Sequence, residues 1–406
     1  MLSLPRMLST LSKHHPARRL PRSRATAAIA LLASLIVAPL LTSTARATEL
    51  VEIELSSPLV DTSAPGGEVR GGPRPLVVRV LLPDGYDRFR GRRYPVLWLL
   101  HGANEDPNRW DLEDFEGLDA ILVMPEGGRL GMYTDWWNGG AFGTPQWATY
   151  LLEEVRRTIH ERFRIRPERR WHAIAGISMG GQGALRFASL LPGYFGSVVA
   201  LSSAFPNIQA PEVVAAIPAV TGVAYEDVWG PPDGAYATGM NPIALAPNLE
   251  HTRVYLLSGD GTNCPGDPPG PTFELDGLTE QLIRSQQAPY AAELRAAGAS
   301  VATREPCGVH TFGVWRRAFR DVRATWGFFA PVRERPRAWT YRTASRAGEM
   351  WGLGFEFAEQ PTELVEFRRN GSRLTASGSG TVTITGARGC RFTAELPFAR
   401  RLPAGC

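Results

Sequence analysis

The stretch Ala173-Ile174-Ala175-Gly176-Ile177-Ser178-Met179-Gly180-Gly181 constrains this 406-residue chain more than any other. A short apolar run, read as a buried strand, ends at a glycine. A serine and two more glycines follow, and Gln182-Gly183-Ala184-Leu185-Arg186-Phe187-Ala188 reads as a helix. Ser178 set between Gly176 and Gly180, with a strand before it and a helix after it, is the pattern of a nucleophile elbow. The residue types follow from the chemistry. The hydroxyl must project above a sheet from a strained turn, where crowding leaves room only for glycine. The N-terminus of the following helix then faces the reacting centre, where negative charge develops during acyl transfer.

Around the elbow, strands alternate with helices. Leu50–Leu55 alternates like a half-buried strand, and Leu76–Leu82 reads as a second. Pro95–Leu100 is continuously apolar, as a strand covered on both faces should be. Strands are also expected at Ile121–Met124, Ser197–Leu201, Arg253–Leu257 and Ser300–Arg304. Helices are expected at Trp147–Phe163, after Ser178, at Leu275–Ala297 and at Gly313–Trp326, with an irregular stretch running to about Asn248. This order predicts an α/β fold of the α/β-hydrolase type, with a mainly parallel central sheet. Composition shifts near Pro331–Pro336. Beyond it come short strands and tight turns, including Asn370-Gly371, so a small all-β domain is expected at the C-terminus. The expected division is an export signal over residues 1–47, a catalytic domain over 48–332 and a β-rich accessory domain over 333–406.

The signal reading rests on Arg6, Lys13, Arg18, Arg19, Arg22 and Arg24 preceding the apolar run Ala25–Leu41, with Ala45-Arg46-Ala47 as a cleavage site. It changes the charge. Residues 1–47 hold seven of the 44 basic residues and no acid, leaving 37 basic against 40 acidic residues in the mature part. Nucleic-acid binding thereby loses its electrostatic basis. Lys13 is the chain's single lysine, so a mature protein would have none for Schiff-base chemistry. A secreted or cell-wall location is expected, and four cysteines there suggest two disulfides. Cys264 and Cys307 each follow one of the last two sheet strands, so they should meet at the carboxyl edge. Cys390–Cys406 would then close the small β domain. No metal-ligand spacing is present, and neither a metal nor a cofactor is expected.

An activated serine needs a histidine base and a carboxylate to orient it. His160 sits mid-helix among Arg and Glu, and His172 and His251 open strands, at the wrong end of a parallel sheet for chemistry. His101 precedes the serine in a His-Gly turn suited to an oxyanion loop, which leaves His310, beyond the final strand, as the base. Two backbone N–H donors are expected from Met179 and Ala103. For the acid, position favours Asp260, directly after the penultimate strand; Glu280 is the rival, and Glu274 and Asp276 are weaker ones.

From Leu50 to Phe328 the chain resembles the esterase D-like group of α/β-hydrolases, and within it the antigen 85 mycolyltransferases. The resemblance rests on Leu99-Leu100-His101-Gly102, Trp110-Asp111, Val123-Met124-Pro125, Tyr133-Thr134-Asp135-Trp136, Gly176-Ile177-Ser178-Met179, Trp229-Gly230-Pro231, Asn241-Pro242, Gly261-Thr262 and His310. It implies a serine acyltransferase with Ser178 as nucleophile, His310 as base and a late-helix glutamate, here Glu280, as acid. It also implies that His101, Asn104 and Phe312 lie on the acceptor side, where this chain departs from the mycolyltransferases' Asp, Arg and Trp. That group's short disulfide is absent, since Gly139–Thr144 has no cysteine.

The expected activity is therefore that of a serine esterase or acyltransferase on lipid or glycolipid esters, with association to the cell envelope. The rival enzyme reading is a carbohydrate esterase removing acetyl or feruloyl groups, its β domain holding polysaccharide. A non-catalytic surface adhesin of the same fold is the reading from another class, and an intact Ser178 and His310 argue against it.

Overall fold

The computed structural model describes residues 49–266, 273–404 and 406, so the export segment expected over residues 1–47 lies outside the described part. Eight strands form the central sheet: β1 (Leu50–Leu55), β2 (Leu76–Leu81), β3 (Val96–Leu100), β4 (Ile121–Pro125), β5 (His172–Ile177), β6 (Ser197–Leu201), β7 (Arg253–Leu257) and β8 (Ser300–Arg304). Their order is β1-β2-β4-β3-β5-β6-β7-β8. Strands β3 to β8 run parallel, and β2 lies antiparallel to both β1 and β4. This is the α/β-hydrolase architecture.

Burial explains the unbroken apolar runs. In β3, Val96, Trp98 and Leu100 point into the core on one face of the sheet, while Leu97 and Leu99 point into the core on the other. Both faces are dry, so alternation has no polar side to display.

The helices are α1 (Trp147–Thr149), α2 (Arg156–Arg162), α3 (Met179–Leu190), α4 (Pro211–Thr221), α5 (Tyr225–Trp229), α6 (Ala235–Met240), α7 (Phe273–Ala296) and α8 (Phe312–Asp321). A π-helical segment, Tyr150–Val155, joins α1 to α2. The stretch expected to be irregular up to Asn248 instead carries α4 to α6. Pro211 opens α4 at its first position, and Gly222 closes it at φ 71° in the left-handed region. Those are the ordinary start and stop residues of a helix.

The C-terminal strands are β9 (Ala338–Thr343), β10 (Ala347–Met350), β11 (Leu353–Phe357), β12 (Val365–Asn370), β13 (Arg373–Ser377), β14 (Thr381–Thr385), β15 (Arg391–Glu395) and β16 (Phe398–Arg401). They form two four-stranded antiparallel sheets, β10-β11-β14-β15 and β16-β13-β12-β9, which share a core that includes Tyr341, Phe355, Phe357 and Phe367. Asn370 is the last residue of β12 and pairs with Arg373, so the tight turn is Gly371-Ser372. Strand β9 fixes this sandwich to the α/β part: Arg342 N–H donates to Asn248 (2.6 Å) and Tyr341 OH to the Leu190 carbonyl (3.1 Å). Cys390 and Cys406 are joined within the sandwich.

One buried group gives the α/β part a pH dependence. His172 opens β5 with its ring fully enclosed, and burial pushes its pKa down to about 3 despite a 2.7 Å hydrogen bond to the Arg166 carbonyl. In the unfolded chain the same ring titrates near 6.5, as model peptides do. Between those values the unfolded chain binds the extra proton. This contribution to stability is therefore intact above about 6.5 and lost as pH falls toward 3. The urea midpoint should drop through that window, less steeply in His172→Gln; identical slopes would contradict the assignment.

Candidate active site

Ser178 stands between β5 and α3 with φ 51° and ψ −119°, a conformation that side chains rarely adopt. The glycines around it are required by contact. A Cβ on Gly176 would lie 2.0 Å from the Gly180 carbonyl oxygen, and one on Gly180 would lie 2.1 Å from that of Leu100. The turn can be this tight only without those side chains, and its tightness lifts the Ser178 hydroxyl above the sheet.

The structure brings three of the sequence-selected side chains together. His310, in the loop between β8 and α8, places Nε2 2.9 Å from Ser178 Oγ. Its Nδ1 lies 2.8 Å from Glu280 Oε2, in the second turn of α7. Glu280 is completely buried. Its other oxygen accepts from Ser202 Oγ (2.7 Å) and Gly259 N–H (2.5 Å), so the carboxylate is fixed by donors on both sides. Ser202 in turn accepts from Trp315 Nε1 at 2.8 Å, and the Trp315 ring meets His310 edge-on with centroids 4.9 Å apart. Sequence reasoning missed Ser202 and Trp315. The available signal for Ser202 was its place just past the carboxyl end of β6.

Asp260 does not reach His310's ring nitrogens, which Ser178 and Glu280 occupy. Its Oδ1 accepts from Thr262 N–H (2.8 Å), Thr262 Oγ1 (2.6 Å) and Gly308 N–H (3.2 Å), tying the loop after β7 to the loop that carries His310. Partial burial raises its pKa, but these hydrogen bonds outweigh it and hold the carboxyl below its ordinary value. Of the weaker rivals, Asp276 lends His310 a backbone carbonyl (3.2 Å). The side chain of Glu274 is outside the described part.

Met179 is the first residue of α3, where a backbone N–H has no acceptor within the helix. Ala103 follows Gly102, whose backbone abuts the elbow: a Cβ on Gly102 would come 3.5 Å from Ser178 Cβ. The acceptor-side expectation needs correcting for His101. Its side chain is fully buried, with Nδ1 2.9 Å from the Gly102 carbonyl and Nε2 taking the Gly127 N–H at 3.0 Å. Its ring is held inside the protein by these contacts and is not exposed on an acceptor side. Asn104 is exposed and accepts from Arg129 NH2 at 2.9 Å, while Phe312 lies half-buried at the start of α8. Arg186, also missed, is completely buried on α3; it donates to the carbonyls of Met132 (2.6 Å) and Met240 (2.9 Å) and so holds the loop at Met132 and the end of α6 against the helix.

Cys264 and Cys307 are bridged across 43 positions, joining the same two loops that Asp260 ties. Closing a loop of that size stabilises a fold by about 4 kcal/mol in the chain-entropy description. Its effect on the placement of His310 should exceed its effect on folding, because the 2.9 and 2.8 Å contacts of that ring tolerate little drift. Cys307→Ser should therefore lose activity several-fold at temperatures where circular dichroism still reports a folded chain. A non-reducing peptide map that linked Cys264 to Cys390 or Cys406 would contradict the pairing.

The Putative esterase family profile matches residues 72–325. Esterase Rv1288 of Mycobacterium tuberculosis is 31% identical over 256 residues, which cover 58% of this chain and 52% of that one. The chain thus spans about half the length of the curated esterases it matches. Diacylglycerol acyltransferase/mycolyltransferase Ag85A of Mycobacterium ulcerans is 28% identical over 251 residues, 57% of this chain and 73% of that one. Among solved structures, MPT51 (FbpC1) of Mycobacterium tuberculosis superposes with a TM-score of 0.53 at 21% identity, covering 68% of this chain and 97% of that one. FphF, a fluorophosphonate-binding serine hydrolase of Staphylococcus aureus, superposes at 0.50 with 19% identity, covering 70% and 99%. These two likenesses are of fold.

Proposed function

Since the chain belongs to the Putative esterase family, we propose that it is a serine esterase or acyltransferase working through an acyl-enzyme on Ser178. The acyl group would come from a lipid or glycolipid ester and pass to a hydroxyl acceptor or to water. The observation that carries this reading is the hydrogen-bonded line Ser178–His310–Glu280, with spacings of 2.9 and 2.8 Å.

In the proposed reaction, His310 Nε2 takes the Ser178 proton as Oγ attacks the ester carbonyl. Buried Glu280 holds the ring in the Nδ1–H tautomer and stabilises the imidazolium that forms. The oxyanion of the tetrahedral intermediate is received by the N–H groups of Met179 and Ala103, the first also favoured by the α3 N-terminus. His310 then returns its proton to the departing alcohol, leaving an acyl-enzyme and a neutral ring. Water or a sugar or glycerol hydroxyl then attacks the acyl carbonyl while giving its proton to the ring, and the ring passes that proton to Ser178 Oγ as the acyl–oxygen bond breaks. Hydrolysis of p-nitrophenyl butyrate, blocked by a serine-reactive phosphonate, tests the chemistry. Mass spectrometry of products formed with trehalose or glycerol present tests transfer.

A location outside the cytoplasm fits the basic-then-apolar leader and the two bridges, Cys264–Cys307 and Cys390–Cys406. Among the described residues no helix is long and apolar enough to cross a membrane. A cleft of about 980 Å³ runs between the C-terminal sandwich and α1–α2; its walls include Phe142 and Tyr236 but also Glu153, Arg156, Arg157, Arg346 and Glu349, and none of Ser178, Glu280 and His310. The carbohydrate-ester reading is tested directly by release of acetate or ferulate from polysaccharide.

A further inference from the structure

Two loops must hold still for the proposed chemistry: Gly102–Asn104, which offers an oxyanion donor, and His310–Phe312, which carries the base. A chain of side chains joins them. Gly102 N–H donates to Glu105 Oε2 at 2.8 Å. Glu105 Oε1 lies 2.6 Å from Arg109 Nε, on the short 3₁₀ turn Pro107–Arg109. The Arg109 guanidinium then stacks on the Phe312 ring, 3.7 Å from its centroid. Phe312 meets Trp315 edge-on at 6.5 Å, and Trp315 is the residue that touches both His310 and Ser202.

From this we infer that Arg109 is a positioning residue that couples the oxyanion loop to the base loop, with Glu105 and Phe312 as its two anchors. The residue types suit the task. A guanidinium offers a planar face for an aromatic ring while its spread charge holds a carboxylate as an ion pair, here without a hydrogen bond from Nε. Glu105 and Arg109 are 19% and 33% exposed, so the pair is screened from bulk water more than a surface ion pair. The glutamate carries the restraint to the Gly102 N–H, adjacent to the peptide that presents the Ala103 donor. The guanidinium carries it to the residue two places beyond the base. Neither anchor touches the reacting atoms, so the effect is on geometry.

The inference rests on the serine-hydrolase reading above, and its test separates the two. In Arg109→Gln, kcat for p-nitrophenyl butyrate should fall about tenfold with KM little changed, since a small misplacement of catalytic groups weakens the transition state and not ground-state binding. Glu105→Gln and Phe312→Leu should each lower kcat, and Arg109→Gln combined with Phe312→Leu should be little worse than Arg109→Gln alone. Hydrogen exchange, which needs no activity, should show faster exchange in Arg109→Gln at both 102–106 and 308–313. Additive losses in the cycle, or faster exchange confined to 102–106, would overturn the coupling. A wild-type protein that neither turns over the ester nor reacts with a phosphonate would instead count against the proposed function, and the exchange measurement would still decide the coupling.

Discussion

Ser178→Ala should lower kcat by about a millionfold while leaving the thermal midpoint nearly unchanged. The expected loss is large because in the proposed reaction the hydroxyl forms the covalent bond, and no neighbour replaces it. The fold should survive because alanine keeps the Cβ, so the strained φ of 51° is no worse occupied than before. The serine side chain also makes no capping hydrogen bond to α3, so the helix start loses nothing. His310→Ala should fall to a similar floor, and the double variant should be no slower, because nucleophile and base act as one unit. The residual rate reports substrate binding and the backbone donors. Independent, multiplying losses in the double variant would mean that the two residues do not share a step.

The second large effect separates two carboxylates. Glu280→Gln should reduce kcat by about 10⁴-fold, whereas Asp260→Asn should stay within a few-fold of wild type. Glutamine fills the same buried space, but its amide has one accepting oxygen where the carboxylate has two. That oxygen must take Ser202 and Gly259, as Oε1 does now, which turns the NH2 toward His310 Nδ1. The ring must then carry its proton on Nε2, facing Ser178, where it cannot act as a base. Asp260 has different duties: Oδ1 accepts from Thr262 and Gly308, and an asparagine oxygen can do the same. The reverse ranking would make Asp260 the acid.

How these residues were readable differs from one to the next. The central strands were legible because burial on both faces leaves continuous apolar runs, and the elbow because steric crowding at Gly176 and Gly180 admits nothing else. Position alone favoured Asp260, since it directly follows β7. The carboxylate that meets His310 comes from a helix 20 positions later, and only the family resemblance pointed there. Helices α4 to α6 were missed although Pro211 and Gly222 mark the ends of α4, because Pro218 interrupts α4 and because α5 and α6, at five and six residues, are too short to show a period. In the sandwich, β9 and β13 alternate over only five or six residues and β10 is four residues without alternation, too brief for a pattern to stand out. The Ser202–Glu280 and Arg109–Phe312 contacts span 78 and about 200 positions, and no local signal announces a partner at that range.

The central claim is that Ser178 is the nucleophile, activated by His310 and oriented by Glu280. Mass spectrometry after treatment with a fluorophosphonate tests it most directly. One adduct is predicted, on Ser178 within the tryptic peptide spanning residues 171–186. It should be absent in Ser178→Ala and form far more slowly in Glu280→Gln. A folded wild-type protein that takes no label, or takes it on another residue, would contradict the account.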